Sequence, residues 1–527
     1  MNSGGVSVSQ AAELRLRAAH ERCAQRAEAT RTVQFLAVRQ AVAPCDPLRA
    51  FAQSEHRQRG FWEHPATGYA LAALGSVWQP PVGDSEQDDR GQQNRFAAAS
   101  QCAQQLFESV TVVGSDDESE SAGPLLMAGF SFSDRHGDAG EWQGFTRAQL
   151  VLPEILVVRA AGRSFVTSCH RIEPGTDREA SWNALQGVLA SALRQAAATG
   201  GVLGDLVGTS PLSSQPPFAA GAEYRVVADR EHTLYRRQVR DALAAIDDGL
   251  LEKVVLARSL RVEHPGRFAV PALLDRLRQL YPECVTYACA QAETTFVCAS
   301  PERLVSLAGE CVSTGALAGS AARGCTPEED VRLGDELKRS PKERAEHQAV
   351  VRAIHHALRD ICWPLRGPAE PELMRLQGIQ HLHTPLSGRI LGARVASFAG
   401  AGDRVNGGCA AHTVLDLVGR LHPTPAVGGL PTTAALEWIE QREGLQRGWF
   451  GGPVGFIDRR GGGEFRVALR AGLIRNPPLA GASVTDTGPA FARLYAGAGV
   501  VKGSCPEQEL RETRLKLRAL LAPLTEI

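Results

Sequence analysis

The stretch LEKVVLARSL, residues 251–260, decides the fold, because it is a β-branched apolar run that predicts a strand starting at Lys253. Apolar residues at helical spacing over 235–246 precede it, and a second helical pattern starts after Val270. Three short strand-like runs, YACA, TTFVCA and LVSLA, follow between residues 287 and 308. This order of helix, strand, helix and several strands predicts an α+β protein with largely antiparallel sheet.

The composition is that of a folded globular protein, and its charge balance favours small molecules over nucleic acid as partners. The chain has 527 residues, of which 43% are hydrophobic and 22% charged, and this excludes disorder as its dominant state. Its 57 basic and 58 acidic residues give a net charge of -1 and form no long basic block. We therefore expect no nucleic-acid partner. A monomer or a weak homodimer is expected.

The sequence carries no clear targeting or membrane signal. It has no run of about 18 apolar residues, so no membrane partner is expected. The N-terminal segment contains Glu13, Glu21 and Glu28 and lacks the apolar stretch of a secretory signal. A cytoplasmic protein is therefore expected, and an organellar transit peptide stays open.

A segment rich in proline and serine divides the chain. Residues 204–221 contain SPLSSQPP and show no hydrophobic period, which predicts a linker. We therefore distinguish an N-terminal region, 1–221, from a C-terminal region, 222–527. Polar segments at 84–95 and 115–121 predict surface loop insertions in the first region.

Two predicted helices carry paired carboxylates near their starts. In SPKERAEHQAVVRAIHHALRD, Ser340 is a candidate N-cap, and Glu343 and Glu346 are three residues apart on one face. In CPEQELRETRLKLRALL, Glu509 and Glu512 repeat this spacing. Carboxylate oxygens suit a hard cation such as Mg²⁺. The spacing alone favours solvated surface residues, because glutamate is a good helix former.

Glycines and arginines near the C-terminus are candidates for binding an anion. Gly497 and Gly499, in YAGAGVVKGS, follow a predicted short strand, where missing side chains would let backbone N–H groups approach an anion. A turn at 461–463 predicts a hairpin whose second strand, EFRVALRAGLI, places Arg466 and Arg470 on one face. Either arginine could bind a carboxylate, but an ordinary solvent-facing strand explains the pattern equally well.

A lysine and two histidines complete the candidates. A lysine beside a buried apolar strand, such as Lys253, can act as a base when burial disfavours its charged form, although most lysines do not. His381 and His383, in QHLHT, alternate on one strand face. Because no third histidine follows at metal-ligand spacing, packing or substrate contact is favoured over metal binding.

From about Lys253 to Lys516 the chain resembles the chorismate-utilising enzymes, which include anthranilate, aminodeoxychorismate, isochorismate and salicylate synthases. The resemblance is carried, in order, by EKVVLAR, SPERLVSL, STGALAGSAARG, SPKERAEH, QHLHTPLSG, LHPTPAVGGLP, GWFGGPVGFID, EFRVALR, YAGAGVVKGS and ELRETRLK. The first region, with GFWEHPATGYALAALGSV and LVLPEIL, is similar more weakly. The resemblance implies an anthranilate synthase component I-like fold, with large antiparallel sheets layered against helices and the active site between the two sheet regions.

The same resemblance implies a Mg²⁺-dependent site for chorismate. Glu346 and Glu512 would bind Mg²⁺ directly, while Glu343 and Glu509 would hold its waters. The implied substrate contacts are Ser320, His381, Arg470, Gly497, Gly499 and Lys516. Among them, His381 would face the ring of the substrate, and the others would anchor its carboxylates.

Lys253 and Glu302 indicate which members of the family the chain resembles. Members that add water carry a lysine base at the position of Lys253, whereas members that use ammonia typically lack it. Glu302, in SPERL, matches the general acid that protonates the departing C4 hydroxyl. LHPTPAVGGLP is similar to the isochorismate synthase form, and Pro431 is followed by Thr432 rather than by the reactive lysine of aminodeoxychorismate synthases. The resemblance therefore implies isomerisation of chorismate to isochorismate without an amidotransferase subunit.

Two alternatives stay open at this point. A salicylate synthase shares the lysine and the acid but goes on to eliminate pyruvate. A non-catalytic relative would bind chorismate or a protein partner only, although all of the implied catalytic and metal-binding residues are present. The fate of the product, in menaquinone, phylloquinone, siderophore or salicylate biosynthesis, also stays open.

Overall fold

The computed structural model describes residues 10–80, 95–114, 123–134, 140–199, 224–391, 412–478 and 489–525. Within these ranges the helices are α1 (Gln10–Thr30), α2 (Pro47–Gln53), α3 (Arg95–Glu108), α4 (Arg178–Ala198), α5 (His232–Asp247), α6 (Val270–Leu280), α7 (Pro327–Arg339), α8 (Pro341–Leu358), α9 (Val414–Leu421), α10 (Thr432–Arg442) and α11 (Pro506–Thr525). The predicted linker at 204–221, the predicted loop at 115–121 and nearly all of the loop at 84–95 lie outside the described residues.

The strands of the same ranges are β1 (Gln34–Val42), β2 (Gln58–His64), β3 (Tyr69–Leu74), β4 (Val110–Gly114), β5 (Leu125–Phe130), β6 (Ala148–Val151), β7 (Ile155–Ala160), β8 (Arg163–Ile172), β9 (Arg225–Ala228), β10 (Lys253–His264), β11 (Val285–Gln291), β12 (Thr294–Ser300), β13 (Arg303–Ala308), β14 (Cys311–Ala322), β15 (Glu372–Arg375), β16 (Ile379–Arg389), β17 (Gly429–Leu430), β18 (Pro453–Asp458), β19 (Gly463–Val467), β20 (Ala471–Arg475) and β21 (Ala490–Val501). The strand predicted to start at Lys253 therefore starts there.

Two large sheets organise these strands. The first has 13 strands in the order β17-β10-β21-β20-β12-β11-β2-β3-β7-β8-β1-β4, with β9 also paired to β10. The second has 8 strands in the order β15-β16-β14-β13-β19-β18-β5-β6. Apart from the parallel pair β1 and β4, the paired strands run antiparallel. The predicted α+β architecture of large antiparallel sheets with helices is confirmed.

Strands from both parts of the sequence enter both sheets. Strands β1 to β4, β7 and β8 join the 13-stranded sheet, and β5 and β6 join the 8-stranded sheet. The regions 1–221 and 222–527 therefore share both sheets rather than forming separate ones.

The two helices that carry the glutamate pairs form as predicted. Helix α8 begins at Pro341, and the Ser340 side chain caps it by accepting a hydrogen bond from the Glu343 backbone N–H at 3.4 Å. Its buried face packs against β14, and α11 packs against β21. Each helix therefore presents its first turns beside a strand of a different sheet. None of the helices in the described ranges combines the length and apolar character that crossing a membrane requires.

The segment EFRVALRAGLI, predicted as one strand, crosses from one sheet to the other. Strand β19 ends at Val467 in the 8-stranded sheet, and β20 begins at Ala471 in the 13-stranded sheet. Arg466 lies in β19, whereas Arg470 lies in the connection with φ +48°, so the prediction that they share a strand face is wrong. The apolar pattern continues through the crossing, and for this reason it does not mark the change of sheet.

Gly497 and Gly499 lie inside a strand, and the prediction that they follow a short one is wrong. Strand β21 has 12 residues and pairs with β10 along its whole length, with Ala257 opposite Gly497 and Val255 opposite Gly499. Glycine and alanine are depleted in strands, so the run AGAG weakens the sequence signal for this strand.

Candidate active site

A cavity lies between the two sheets. Its walls include β10 and β21 of the 13-stranded sheet and β14 and β16 of the 8-stranded sheet. The residues singled out in the sequence that line it are Glu302, Ser320, Glu346, His381, Arg470, Gly497, Gly499, Glu512 and Lys516.

Three other predicted residues lie next to this cavity. Lys253 is buried behind its wall, and its ammonium group contacts the Glu346 carboxylate, with Nζ and Oε1 2.8 Å apart. Glu343 and Glu509 line an adjoining cavity together with Glu512, which belongs to both cavities. The structure thus brings all twelve predicted site residues into one connected region.

Gly499 is required by close packing at this wall. A Cβ atom at this position would lie 2.5 Å from Oε1 of Glu346 and 3.1 Å from Cε of Lys253. Any side chain would therefore push apart the ion pair between these two residues. At Gly497 a Cβ would also be tight, at 3.2 Å from Cγ1 of Val255 and 3.3 Å from the Leu256 carbonyl oxygen, and the Gly497 carbonyl accepts a hydrogen bond from Lys516 Nζ at 3.0 Å.

Glu302 is a buried carboxyl group with few partners. It lies between β12 and β13 and is 3% exposed. Burial raises its pKa to about 7, and the positive charges of Lys253 and Lys516 oppose this rise only in part. The Thr424 hydroxyl donates a long hydrogen bond to Oε1 of Glu302, at 3.5 Å. Near neutral pH this carboxyl group can therefore carry a proton and donate it.

Ser320, His381 and Arg470 form a chain of hydrogen bonds on the opposite wall. The Nη2 of Arg470 donates to Nε2 of His381 at 3.1 Å, because a guanidinium has no acceptor. The Nδ1 of His381 must then carry the proton, and it lies 2.9 Å from Oγ of Ser320. Burial, Arg470 and Lys516 hold the pKa of His381 well below its ordinary value, so the ring is neutral. Both ring nitrogens of His381 thus have partners within the protein.

Arg470 is arranged as an anion receptor. It is 7% exposed and lines the cavity, and its Nε–H is buried with no hydrogen-bond partner among the described residues. Its backbone is left-handed, with φ +48°, which is uncommon for a residue with a side chain. Such strain is typical of functional sites, where the surrounding fold holds a side chain in place.

The four glutamates of α8 and α11 are paired with lysines. The Lys342 ammonium lies 3.1 Å from Oε1 of Glu509 and 3.4 Å from Oε1 of Glu343. Lys516 and Glu512 are 2.6 Å apart, and Lys253 pairs with Glu346 as described above. Three ammonium groups therefore compensate four carboxylates in the described structure.

The pKa values of these carboxyl groups reflect their surroundings. Burial raises the pKa of Glu343, and the nearby carboxylates Glu346 and Glu512 add to this effect against Lys342. Burial also raises the pKa of Glu509, helped by Glu512. For Glu346, burial acts in the same direction, but the Lys253 ammonium outweighs it and the pKa is lowered. The cluster therefore carries repulsion that an added cation would relieve.

The carboxylate oxygens of the four glutamates suit a hard divalent cation, although these side chains do not surround a common point. Among the described residues, no three His, Cys, Asp or Glu side chains meet closely enough to hold a metal ion. The donors of this region are carboxylate oxygens, which Mg²⁺ prefers. The lysine side chains that pair with these carboxylates would have to move away for a cation to bind. The Mg²⁺ assignment to Glu343, Glu346, Glu509 and Glu512 thus stays a prediction.

Arg447 and Thr424 also reach the site, and the sequence analysis missed both. Arg447 lines the cavity and forms a buried ion pair with Glu443, four residues earlier. That spacing is a recognisable signal, but it is so common on helix surfaces that it does not single out a site. Thr424 belongs to HPTPAVGG, where nothing in the local pattern predicts contact with Glu302.

A buried lysine, a buried carboxyl group with a pKa of about 7 and a buried arginine with an unpaired N–H lie in or beside one cavity, an arrangement suited to an enzyme that acts on a small anionic substrate. Such a site between two antiparallel sheets is what the sequence resemblance implies. The chain belongs to the chorismate-binding enzyme family, since the family profile described as "Chorismate binding enzyme" matches residues 19–399 and 403–525. The prediction of an enzyme of this family is confirmed.

Two characterised relatives are similar over almost the whole chain. The "Salicylate biosynthesis isochorismate synthase" of Pseudomonas aeruginosa is 34% identical over 515 residues, which cover 97% of this chain and 94% of the relative. The "Isochorismate synthase MenF" of Bacillus subtilis is 30% identical over 486 residues, which cover 91% of each chain.

Solved structures share the fold. The menaquinone-specific isochorismate synthase of Escherichia coli aligns with a TM-score of 0.69 at 22% identity, over 98% of this chain and 100% of the other. Anthranilate synthase component I of Streptococcus pneumoniae aligns with a TM-score of 0.59 at 18% identity, over 86% and 92%. The predicted anthranilate synthase component I-like fold is confirmed.

Proposed function

We propose that this protein is an isochorismate synthase, which adds water at C2 of chorismate and releases the C4 hydroxyl. The observation that carries the proposal is the pair of Lys253 and Glu302 at one cavity, a potential base and an acid whose pKa is about 7. The two relatives described above are both named isochorismate synthases, and each matches more than nine tenths of the length of this chain.

The proton transfers can be assigned to these two side chains. Lys253 is the proposed base, which takes a proton from water while the water oxygen bonds to C2. The ring double bonds shift, and the C4–O bond breaks as Glu302 gives its proton to the departing hydroxyl, which leaves as water. Lys253 then holds one added proton and Glu302 has lost one, so exchange with solvent restores both. The reverse sequence uses the same groups, as expected for an isomerisation.

The chorismate carboxylates require cationic partners. Arg470 offers its unpaired Nε–H to one of them, and a guanidinium can bind a carboxylate through two parallel hydrogen bonds. With its Nδ1–H engaged by Ser320, His381 leaves the Ser320 hydroxyl proton free to point toward a substrate oxygen. Lys516 and the backbone of Gly497 and Gly499 line the same part of the cavity.

We further propose Mg²⁺ as the cofactor, with Glu346 and Glu512 as direct ligands and Glu343 and Glu509 as holders of its waters. Bound there, it would neutralise a substrate carboxylate and stabilise negative charge that develops during the displacement. Glu346 also holds the Lys253 ammonium at 2.8 Å. The carboxylate proposed as a direct Mg²⁺ ligand is therefore also the ion-pair partner of the proposed base.

Product identification tests the proposal. Purified protein is incubated with chorismate and Mg²⁺, and products are separated by chromatography beside authentic standards. We expect a mixture of chorismate and isochorismate, because the displacement is reversible. Unchanged chorismate under conditions in which the protein is folded would contradict the proposal and favour a non-catalytic relative.

Salicylate synthase is the alternative, since it needs the same water-adding groups and differs only in the later loss of pyruvate. That loss requires the enolpyruvyl group to fold over the ring in a particular conformer. A lactate-dehydrogenase-coupled pyruvate assay, run beside an isochorismatase-coupled assay, separates the two. We expect little pyruvate, and stoichiometric pyruvate without an added lyase would establish the alternative.

A further inference from the structure

Glu443 and Arg447 form a buried bidentate ion pair beside the main cavity. The Nε of Arg447 lies 2.7 Å from Oε1 of Glu443, and its Nη2 lies 2.5 Å from Oε2. Their side chains are 4% and 1% exposed, and Arg447 lines the cavity. A buried ion pair is rarely a source of net stability, so its position calls for a functional explanation.

The ion pair completes an edge of the 13-stranded sheet. Strand β17 pairs with Lys253 and Val254 of β10, and β9 pairs with β10 from Leu260 to Glu263. Between these two, no strand of the described residues pairs with this edge of β10. The Val255 carbonyl accepts from Nη2 of Arg447 at 2.8 Å, and the Ala257 N–H donates to Oε2 of Glu443 at 2.8 Å. The pair thus fixes the strand that begins with the proposed base.

The same guanidinium fixes the turn that contacts the proposed acid. Nη1 of Arg447 donates to the Val427 carbonyl at 2.9 Å. Val427 and Gly428 are tied back to the Thr424 carbonyl by N–H donors at 3.1 and 2.9 Å. The Thr424 hydroxyl in turn donates to Glu302. Arg447 therefore connects the strand of Lys253 to the turn that touches Glu302.

We propose that Arg447, held by Glu443, is a positioning residue that sets the Glu302 carboxyl group relative to Lys253. The inference rests on the proposed function, because it assigns the base and the acid as above. Arg447 is unsuited to anchor the substrate, since four of its five N–H groups are engaged and Glu443 balances its charge. That role falls to Arg470.

The test is Arg447→Lys, which keeps the charge beside Glu443 but cannot reproduce the planar fork that reaches both carbonyl groups. We expect kcat to fall by about 10- to 100-fold with a much smaller change in KM, because small errors in the placement of reacting groups have effects of this size. The matched control is Arg278→Lys, a half-buried arginine that is paired with the buried carboxylates of Asp46 and Glu63 and does not line the cavity. The control should lose stability to a similar extent and keep its kcat.

A second variant, Thr424→Val, tests the last link without disturbing the ion pair. The hydroxyl favours the ionised form of Glu302, which also faces the charges of Lys253 and Lys516. Its loss should move the alkaline limb of the kcat–pH profile upward, and Thr424→Ser should restore the limb. Thr314→Val, which removes a buried hydroxyl bonded to the Leu304 carbonyl, should leave the limb in place.

The outcomes separate this inference from the proposed function. Wild-type protein that forms no isochorismate overturns the proposed function before any variant is compared. An active wild type with unchanged kcat in Arg447→Lys, or with a raised KM at unchanged kcat, overturns the positioning role. If Arg447→Lys does not fold, an unmoved pH limb in Thr424→Val overturns it instead.

Discussion

The two charged regions of the cavity differ in how the fold holds them. Lys253 and Glu302 come from the start of a strand and from a connection between two strands, and both are almost completely buried. Glu346 and Glu512 come from helices and are 10% and 24% exposed, with lysines as partners. The two regions meet at the contact between Lys253 and Glu346, and only the second carries a cluster of carboxylates. The proposed proton-transfer groups thus lie on and between strands, and the proposed metal ligands lie on helices.

The largest effects are expected in the first region. Lys253→Ala and Glu302→Gln should each lower kcat by about 10²- to 10⁴-fold, because each removes one proton transfer. Turnover of chorismate at saturating Mg²⁺ measures this, with Lys502→Ala, an exposed lysine in the turn after β21, as the control. Near-normal turnover in Lys253→Ala would show that another group activates water and would remove the distinction between the two regions.

In the second region the expected loss depends on the cation. Glu346→Gln or Glu512→Gln should remove most of the turnover and raise the Mg²⁺ concentration needed for half-maximal activity, since each removes a direct ligand. Glu507→Gln, on the exposed first turn of α11, is the control. Full activity of the wild type in excess EDTA would contradict the assignment of this region to a metal.

Substitution of Arg470 tests the binding of the substrate carboxylate separately from proton transfer and metal binding. Arg470→Lys should raise KM for chorismate by about tenfold with a smaller effect on kcat, because lysine cannot bind a carboxylate through two parallel hydrogen bonds. Steady-state kinetics measure this, and Arg466→Lys, paired with Glu464 and not lining the cavity, serves as the control. A loss confined to kcat would place Arg470 in the chemical step instead.

A last effect is expected on stability rather than on turnover. The pKa of Glu302 rises from 4.5 to about 7 on folding, so the folded state binds this proton more tightly and loses stability as pH rises between these values. The full penalty, about 3 kcal/mol, is present above pH 7. Glu302→Gln should therefore have a higher Tm than the wild type at alkaline pH and little difference at acid pH. Thermal unfolding across this range measures it, and equal pH dependence of the two proteins would contradict the buried carboxyl assignment.

The sequence predicts most of the residues that line the site but few of the residues that hold them in position. Strand β10 and helix α8 carry strong local signals, a β-branched run and a capped helix start, and both lie as predicted. Hydrophobic periodicity does not reveal that the chain crosses between the two sheets at Arg470, because the sequence is apolar on both sides of this residue. The Glu443–Arg447 pair serves backbone groups far away in sequence, and no local pattern reports such a contact.

In the proposed reaction, the new hydroxyl comes from a solvent water molecule that Lys253 deprotonates. The most direct test is to run the reaction in water enriched in the heavy oxygen isotope and to weigh the isochorismate by mass spectrometry. We expect one heavy oxygen atom per isochorismate molecule, at the C2 hydroxyl, and no labelled isochorismate from Lys253→Ala. Isochorismate that forms without the label would mean that the hydroxyl migrates within the substrate, and this would contradict the account.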